Sequence, residues 1–147
     1  RHIDISAEFV APAIALWRII SDFQHIDRWA ELKVISTTGS GPGSCRTVEM
    51  GSGIRVTERM VVCDETSMVL IYEALEPNPF PLRDYRSTMK IEALSSQRCR
   101  LDWSGSYVPP AGSDPVRADR LLQKIYEGGI ALLRIHLAGK SAEQVAQ

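Results

Sequence analysis

The chain has 147 residues, the size of one domain, with 44% hydrophobic and 24% charged residues, enough to bury a sizeable core. Its net charge of -1, with acids and bases interspersed, offers no basic footprint for nucleic acid. No apolar run approaches the length of a membrane span and no secretory leader is recognisable. Cys45, Cys63 and Cys99 are odd in number and form no CxxC pair, so they read as reduced thiols of a cytoplasmic protein rather than a disulfide framework or a zinc site.

Ile3 to Val10 alternates as a strand does, and Pro12 suits the first turn of a helix. That helix runs from Ala13 to Ile20 with Ala13, Leu16, Trp17 and Ile20 on one stripe, and a second short helix is expected over Phe23–Ala30 after Ser21-Asp22. Six strands follow: Val34–Thr38, Cys45–Met50, Ile54–Cys63, Met68–Leu75, Tyr85–Ala93 and Arg100–Val108. Turn-forming residues separate them. Gly39 to Gly43 is a hairpin loop and not a phosphate cradle, because it leads into a strand rather than a helix N-terminus. Asp114 is the expected N-cap of a long amphipathic helix whose apolar stripe holds Ala118, Leu122, Ile125, Gly129, Leu132 and Leu133. Residues 1–140 are thus expected to form a single domain, with 141–147 a flexible tail.

This order, strand, two short helices, six strands and a long helix, predicts an α+β fold. A seven-stranded, curved antiparallel sheet would wrap around the C-terminal helix in a helix-grip arrangement. One helix cannot seal so large a curved sheet, so an internal cavity is expected.

The segment around Gly51-Ser52-Gly53 reads as a hairpin that pairs Met50 with Ile54, Val48 with Val56 and Arg46 with Glu58. An apolar face ending in an Arg–Glu pair is either a cross-strand clamp that fixes register or the polar end of a ligand cavity. In the second case Arg46 anchors a ligand carbonyl or carboxylate, while Glu58 orients it or acts as a base. A short turn near Ser96 sets Met89 opposite Trp103 and Tyr85 opposite Tyr107 on a shared interior face. Tyr72 joins them only if the preceding turn has the right parity, which the pattern leaves open.

Four stretches carry a resemblance to a known family. Gly-Pro-Gly-Ser-Cys-Arg-Thr (41–47), Thr-Glu-Arg-Met (57–60), Pro-Leu-Arg-Asp-Tyr-Arg-Ser-Thr-Met (81–89) and Leu-Asp-Trp-Ser-Gly-Ser-Tyr (101–107) resemble the SRPBCC (START-like) superfamily, its polyketide cyclase/dehydrase-like branch in particular. Ile125 to Ile130 in the last helix is similar to that branch as well. The resemblance covers Ile3 to Leu137 and implies a hydrophobic pocket between sheet and C-terminal helix.

Other side chains around that pocket carry two readings each. Trp29 and His25 would sit at one mouth of the cavity, with His25 either a general base or a solvent-facing or helix-capping residue, and Trp17 either core or pocket. Phe80, on the Pro77–Asp84 loop, would form part of a gate or of a stiff connection. Asp84 is either an acid or a turn residue. Gly128-Gly129 costs helix propensity, which makes sense if a bulky neighbour or a ligand needs room beside the helix. The candidate site therefore comprises Glu58, Arg46 and Asp84 for chemistry. Trp29, Tyr72, Tyr85, Met89, Trp103, Tyr107, Phe80, Ile125 and Gly129 are the candidate ligand-binding side chains, with no metal and no cofactor.

The function these readings point to is binding of a small hydrophobic ligand, aromatic or polyketide-like, in an internal cavity. Cofactor-free cyclisation, aldol condensation or dehydration is the chemistry if the site is catalytic. The alternative is a non-catalytic lipid or small-molecule carrier or sensor. The expected partner is the small molecule itself, without nucleic acid and without a membrane span, and a homodimer is compatible with the sequence.

Overall fold

The computed structural model describes residues 1–146, with their side chains through residue 140. Along the chain come β1 (His2–Phe9), α1 (Ala13–Ile20), a 3₁₀ segment (Phe23–Arg28), β2 (Lys33–Thr38), β3 (Cys45–Glu49), β4 (Arg55–Asp64), β5 (Val69–Ala74), β6 (Arg83–Ser95), β7 (Arg98–Val108) and α2 (Pro115–Ala146). The strands pair antiparallel in the order β1-β7-β6-β5-β4-β3-β2, forming one seven-stranded sheet. This is the helix-grip α+β arrangement expected from the element order. The backbone of α2 continues as helix through Ala146. The side chains of the stretch expected to be a tail, 141–147, lie outside the described residues.

Local chemistry explains most boundaries. Pro12 stands in extended conformation (φ -60°, ψ 142°) ahead of α1, whose Leu16, Trp17 and Ile20 are buried. The second helix is shorter than expected and kinked at His25 (φ -116°, ψ 37°). Asp22 bridges the kinked segment, its carboxylate meeting His25 Nδ1 at 2.7 Å and accepting from Arg28 Nη1 at 3.0 Å. Phe23 and Ile26 of this segment still reach the core. At the β3–β4 turn Gly53 takes φ +86°, a conformation that favours glycine. The resulting register pairs Val48 with Val56 and Arg46 with Glu58, and Met50 N–H donates to the Ile54 carbonyl at 2.9 Å.

A bulge in β4 settles the parity of Tyr72. Met60 faces Tyr72 and Val62 faces Ile71, so Val61 is an extra residue in the ladder. Before the bulge Val56 and Met60 point inward; after it Leu70 and Tyr72 of β5 share that interior. A second bulge, between Arg83 and Arg86, sets two β6 residues against Tyr107. Asp84 there takes φ +51°.

The helix α2 is capped at its start and fastened to the sheet at two heights. Asp114 caps its start, its Oδ1 accepting from Val116 N–H at 3.0 Å. The Tyr107 hydroxyl donates to Asp119 at 2.6 Å and lies 3.1 Å from the Pro115 carbonyl, and Arg1 also binds Asp119. Lower down, Arg134 Nη1 donates to the Glu8 carbonyl at 2.7 Å, with its guanidinium 4.6 Å from the Phe9 ring centroid. Between these points Ala118, Leu122, Tyr126 and Leu133 are fully covered by the sheet.

Candidate ligand-binding site

Between the sheet and α2 lies a cavity of about 310 Å³, at the small end of the range that small-molecule sites occupy. Its walls are mainly aliphatic and aromatic: Ile20 and Ile26 from the N-terminal helices, Val48 and Leu70 from the sheet, Trp29 and Leu132 near the opening. Glu31, Lys124 and Gly128 are the exposed members of the lining and form its rim. A second, smaller chamber of about 60 Å³ abuts it.

Arg46 is the charged group set deepest in this wall, with 4% of its side-chain surface exposed. Its Nε donates to Glu58 Oε1 at 2.9 Å and its Nη1 to the Phe23 carbonyl at 2.9 Å. The guanidinium lies 3.8 Å from the Phe23 ring centroid and 5.1 Å from that of Tyr72, so two aromatic faces hold its plane. Glu58 keeps 14% of its side chain exposed and lines both chambers.

Beneath the cavity lies a closed polar network. The hydroxyls of Tyr85 and Tyr126 stand 2.5 Å apart, and Tyr126 lies 3.0 Å from Ser87 Oγ. Trp103 Nε1–H donates to the same Ser87 oxygen at 2.9 Å, while the Ser104 carbonyl accepts from Ser87 and Tyr126. Trp103 also stacks on Tyr126, with ring centroids 4.4 Å apart and planes 14° from parallel. Two glycines permit this packing. A Cβ on Gly105 would stand 2.3 Å from the Tyr126 hydroxyl, and one on Gly129 would stand 2.7 Å from the edge of the Trp103 ring. The bulky neighbour that needs room beside α2 is therefore Trp103.

Burial keeps these phenols protonated. The Tyr72 hydroxyl is pushed up to about 12, first by desolvation and then by the nearby Glu58 charge. Desolvation raises Tyr126 further still and lifts Tyr85 well above the usual phenol range. At neutral pH each phenol is a neutral hydrogen-bond donor, and none is a base.

The structure brings most of the expected residues together. Trp29, Arg46, Met89, Trp103 and Gly129 line the large chamber, Glu58, Tyr72 and Ile125 line both, and Phe80 and Tyr85 line the small one. Two positions stand apart. Asp84 is exposed on the bulge and borders a surface hollow with Arg59 and Glu73; its N–H donates to Glu76 Oε1 at 3.2 Å. Tyr107 is buried but spends its hydroxyl on Asp119 at the start of α2, outside the cavity, and burial followed by the Asp119 contact raises its pKa to about 12. His25 is exposed beside Asp22, and Trp17 belongs to the core. Unforeseen members are Tyr126 beneath the floor and Glu31 and Lys124 at the rim. Tyr126 had a signal, since it follows the buried Leu122 by four residues on the apolar stripe.

Comparison with known proteins agrees with this geometry. Residues 1–138 match the family described as polyketide cyclase / dehydrase and lipid transport. The chain belongs to that family. No curated protein sequence matches this family member. Among solved structures, an uncharacterised protein from Bacillus thuringiensis is similar with 26% identity, covering 91% of this chain and 96% of the other, at a TM-score of 0.79. The XoxI protein from Bacillus cereus shares 24% identity over 90% of this chain and 92% of its own, also at 0.79. The ZhuI aromatase/cyclase from Streptomyces sp. R1128 shares the fold at 21% identity, covering 99% of this chain and 95% of its own at a TM-score of 0.72. Among the described residues no helix is long and apolar enough to cross a membrane.

Proposed function

We propose that the protein binds a small, largely apolar molecule that presents one oxygen acceptor to Arg46. The observation that carries this reading is a buried guanidinium, held through Nε by Glu58 and through Nη1 by the Phe23 carbonyl, in the wall of a largely apolar 310 Å³ cavity. A charge so placed is costly to bury, and Glu58 and Phe23 satisfy only part of its donor capacity. An aromatic ketone meets the requirements, with rings against Trp29, Trp103 and Met89 and its oxygen toward Arg46 and the neutral Tyr72. The three cysteines are free, which supports a cytoplasmic setting.

Titration of tryptophan fluorescence with 2-acetonaphthone tests the binding. Saturable one-to-one quenching is expected, with Arg46→Met weakening the ketone about tenfold, the loss of a hydrogen bond to a charged donor. The oxygen-free analogue 2-ethylnaphthalene should bind wild type and variant alike. No saturable binding of either compound would overturn the proposal.

A catalytic reading is favoured by one arrangement: Glu58, Arg46 and Tyr72 converge where the two chambers meet. There Glu58 would take a proton alpha to a carbonyl, while Arg46 and Tyr72 stabilise the enolate oxygen in a cofactor-free cyclisation or dehydration. Glu58→Gln discriminates the two readings. A carrier keeps its ligand affinity and has no turnover to lose, whereas an enzyme keeps binding and loses conversion of a flexible β-polyketone thioester.

A further inference from the structure

The cavity's division into two unequal chambers says more about the ligand than its greasiness does. The large chamber of about 310 Å³ and the small one of about 60 Å³ share Met50, Val56, Glu58, Tyr72 and Ile125, so these five side chains form a neck between them. Glu58 and Tyr72 are the polar members of that neck. Beyond it the small chamber is lined by the apolar Ala74, Phe80, Leu82 and Leu122, with Asn78 and Tyr85 as the polar members of its wall. Its far wall does not move freely. Asn78 ties the Phe80 loop to itself, donating from Nδ2 to the Leu82 carbonyl at 3.0 Å and accepting from Phe80 N–H at 3.0 Å. Glu76 secures the loop's start, accepting from Asn78 N–H at 3.0 Å.

We infer that the ligand is bipartite, with an apolar or aromatic body in the large chamber, its oxygen at the neck, and a short alkyl substituent in the small chamber. Ala74 and Phe80 are then specificity-determining positions for the length of that substituent. The inference rests on the ligand-binding reading above and adds the class of molecule: an aryl alkyl ketone or an analogue with that division. The small chamber has room for on the order of three non-hydrogen atoms. Its rigid wall makes a longer chain costly, because an overfilled, well-packed site must distort.

A homologous series of 2-naphthyl alkyl ketones, methyl, ethyl, propyl and pentyl, measured by tryptophan fluorescence titration, tests this. Wild-type affinity should rise roughly fourfold per added methylene up to propyl and then drop at pentyl. Ala74→Leu should bring the propyl ketone down to the level of the methyl ketone or below. Phe80→Ala, on the peripheral loop, should move the optimum to the pentyl ketone and keeps the question answerable if the Ala74 variant folds poorly. Affinity independent of chain length in wild type would overturn the inference while leaving ligand binding intact, as would a Phe80→Ala series with an unshifted optimum. Failure of every ketone to bind would overturn the binding reading itself, and the bipartite ligand with it.

Discussion

Gly128 and Gly129 are neighbours in α2, yet alanine at the two positions should act with opposite sign. Replacing a helical glycine by alanine is worth about 1 kcal/mol through helix propensity and restriction of the unfolded chain. At Gly128 nothing lies within 4 Å of the added methyl, so the full gain is expected. At Gly129 the methyl would stand 2.7 and 2.8 Å from Cζ3 and Cη2 of Trp103. That ring cannot swing aside cheaply, because its Nε1 is bonded to Ser87 at 2.9 Å and its face is stacked on Tyr126. Overpacking a well-packed site costs about 1–3 kcal/mol. Both variants share the helix gain, so the difference between them isolates the packing cost. Gly128→Ala should be more stable than wild type by about 1 kcal/mol, and Gly129→Ala about 1–3 kcal/mol less stable than Gly128→Ala. Urea denaturation followed by circular dichroism reads both. Equal stability of the two variants would refute the packing of Trp103 against α2, and with it the described floor of the cavity.

Other perturbations follow from the same geometry. Arg46→Met leaves the Glu58 carboxylate unpaired beneath the sheet and should cost about 3 kcal/mol, with Arg46→Met/Glu58→Gln less destabilised than the sum of the single variants in a double-mutant cycle. Gly105→Ala drives a methyl to 2.3 Å from the Tyr126 hydroxyl and should lower the unfolding midpoint by several degrees in a thermal scan. All four tyrosines have raised pKa values, Tyr72 to about 12. Their unfolded counterparts ionise near 10, so the stability they contribute is fully present below about pH 10 and is lost as pH rises toward 12. Phenolate absorbance should therefore appear together with unfolding; ionisation near pH 10 in a still-folded protein would contradict their burial.

How much of the site was legible in the sequence depended on local geometry. Arg46 and Glu58 were found because a glycine-flanked turn fixes register over the few pairs that follow, and period-two alternation then assigns faces. Met89 opposite Trp103 was found for the same reason. Tyr72 could not be placed because Val61 is inserted in β4, and a bulge shifts parity without changing the hydrophobic pattern. Tyr107 and Asp84 illustrate the limit of face assignments. Tyr107 does point inward, but its hydroxyl finds Asp119 in α2, a partner that only the helix docking supplies. Asp84 occupies the second bulge at positive φ, which turns its carboxylate to solvent. The division of the cavity had no sequence signal, since it arises where five side chains from two strands, the β3–β4 turn and a helix converge.

The central claim, a ligand seated between sheet and α2 with its oxygen on Arg46, is tested most directly by an NMR titration with 2-acetonaphthone. The account predicts saturable, one-to-one shifts of the Trp29 and Trp103 indole N–H signals and of the Arg46 Nε–H signal, all following one binding curve. Shifts confined to the neighbourhood of the exposed Val10 and Ile135, with the three cavity signals unmoved, would contradict it.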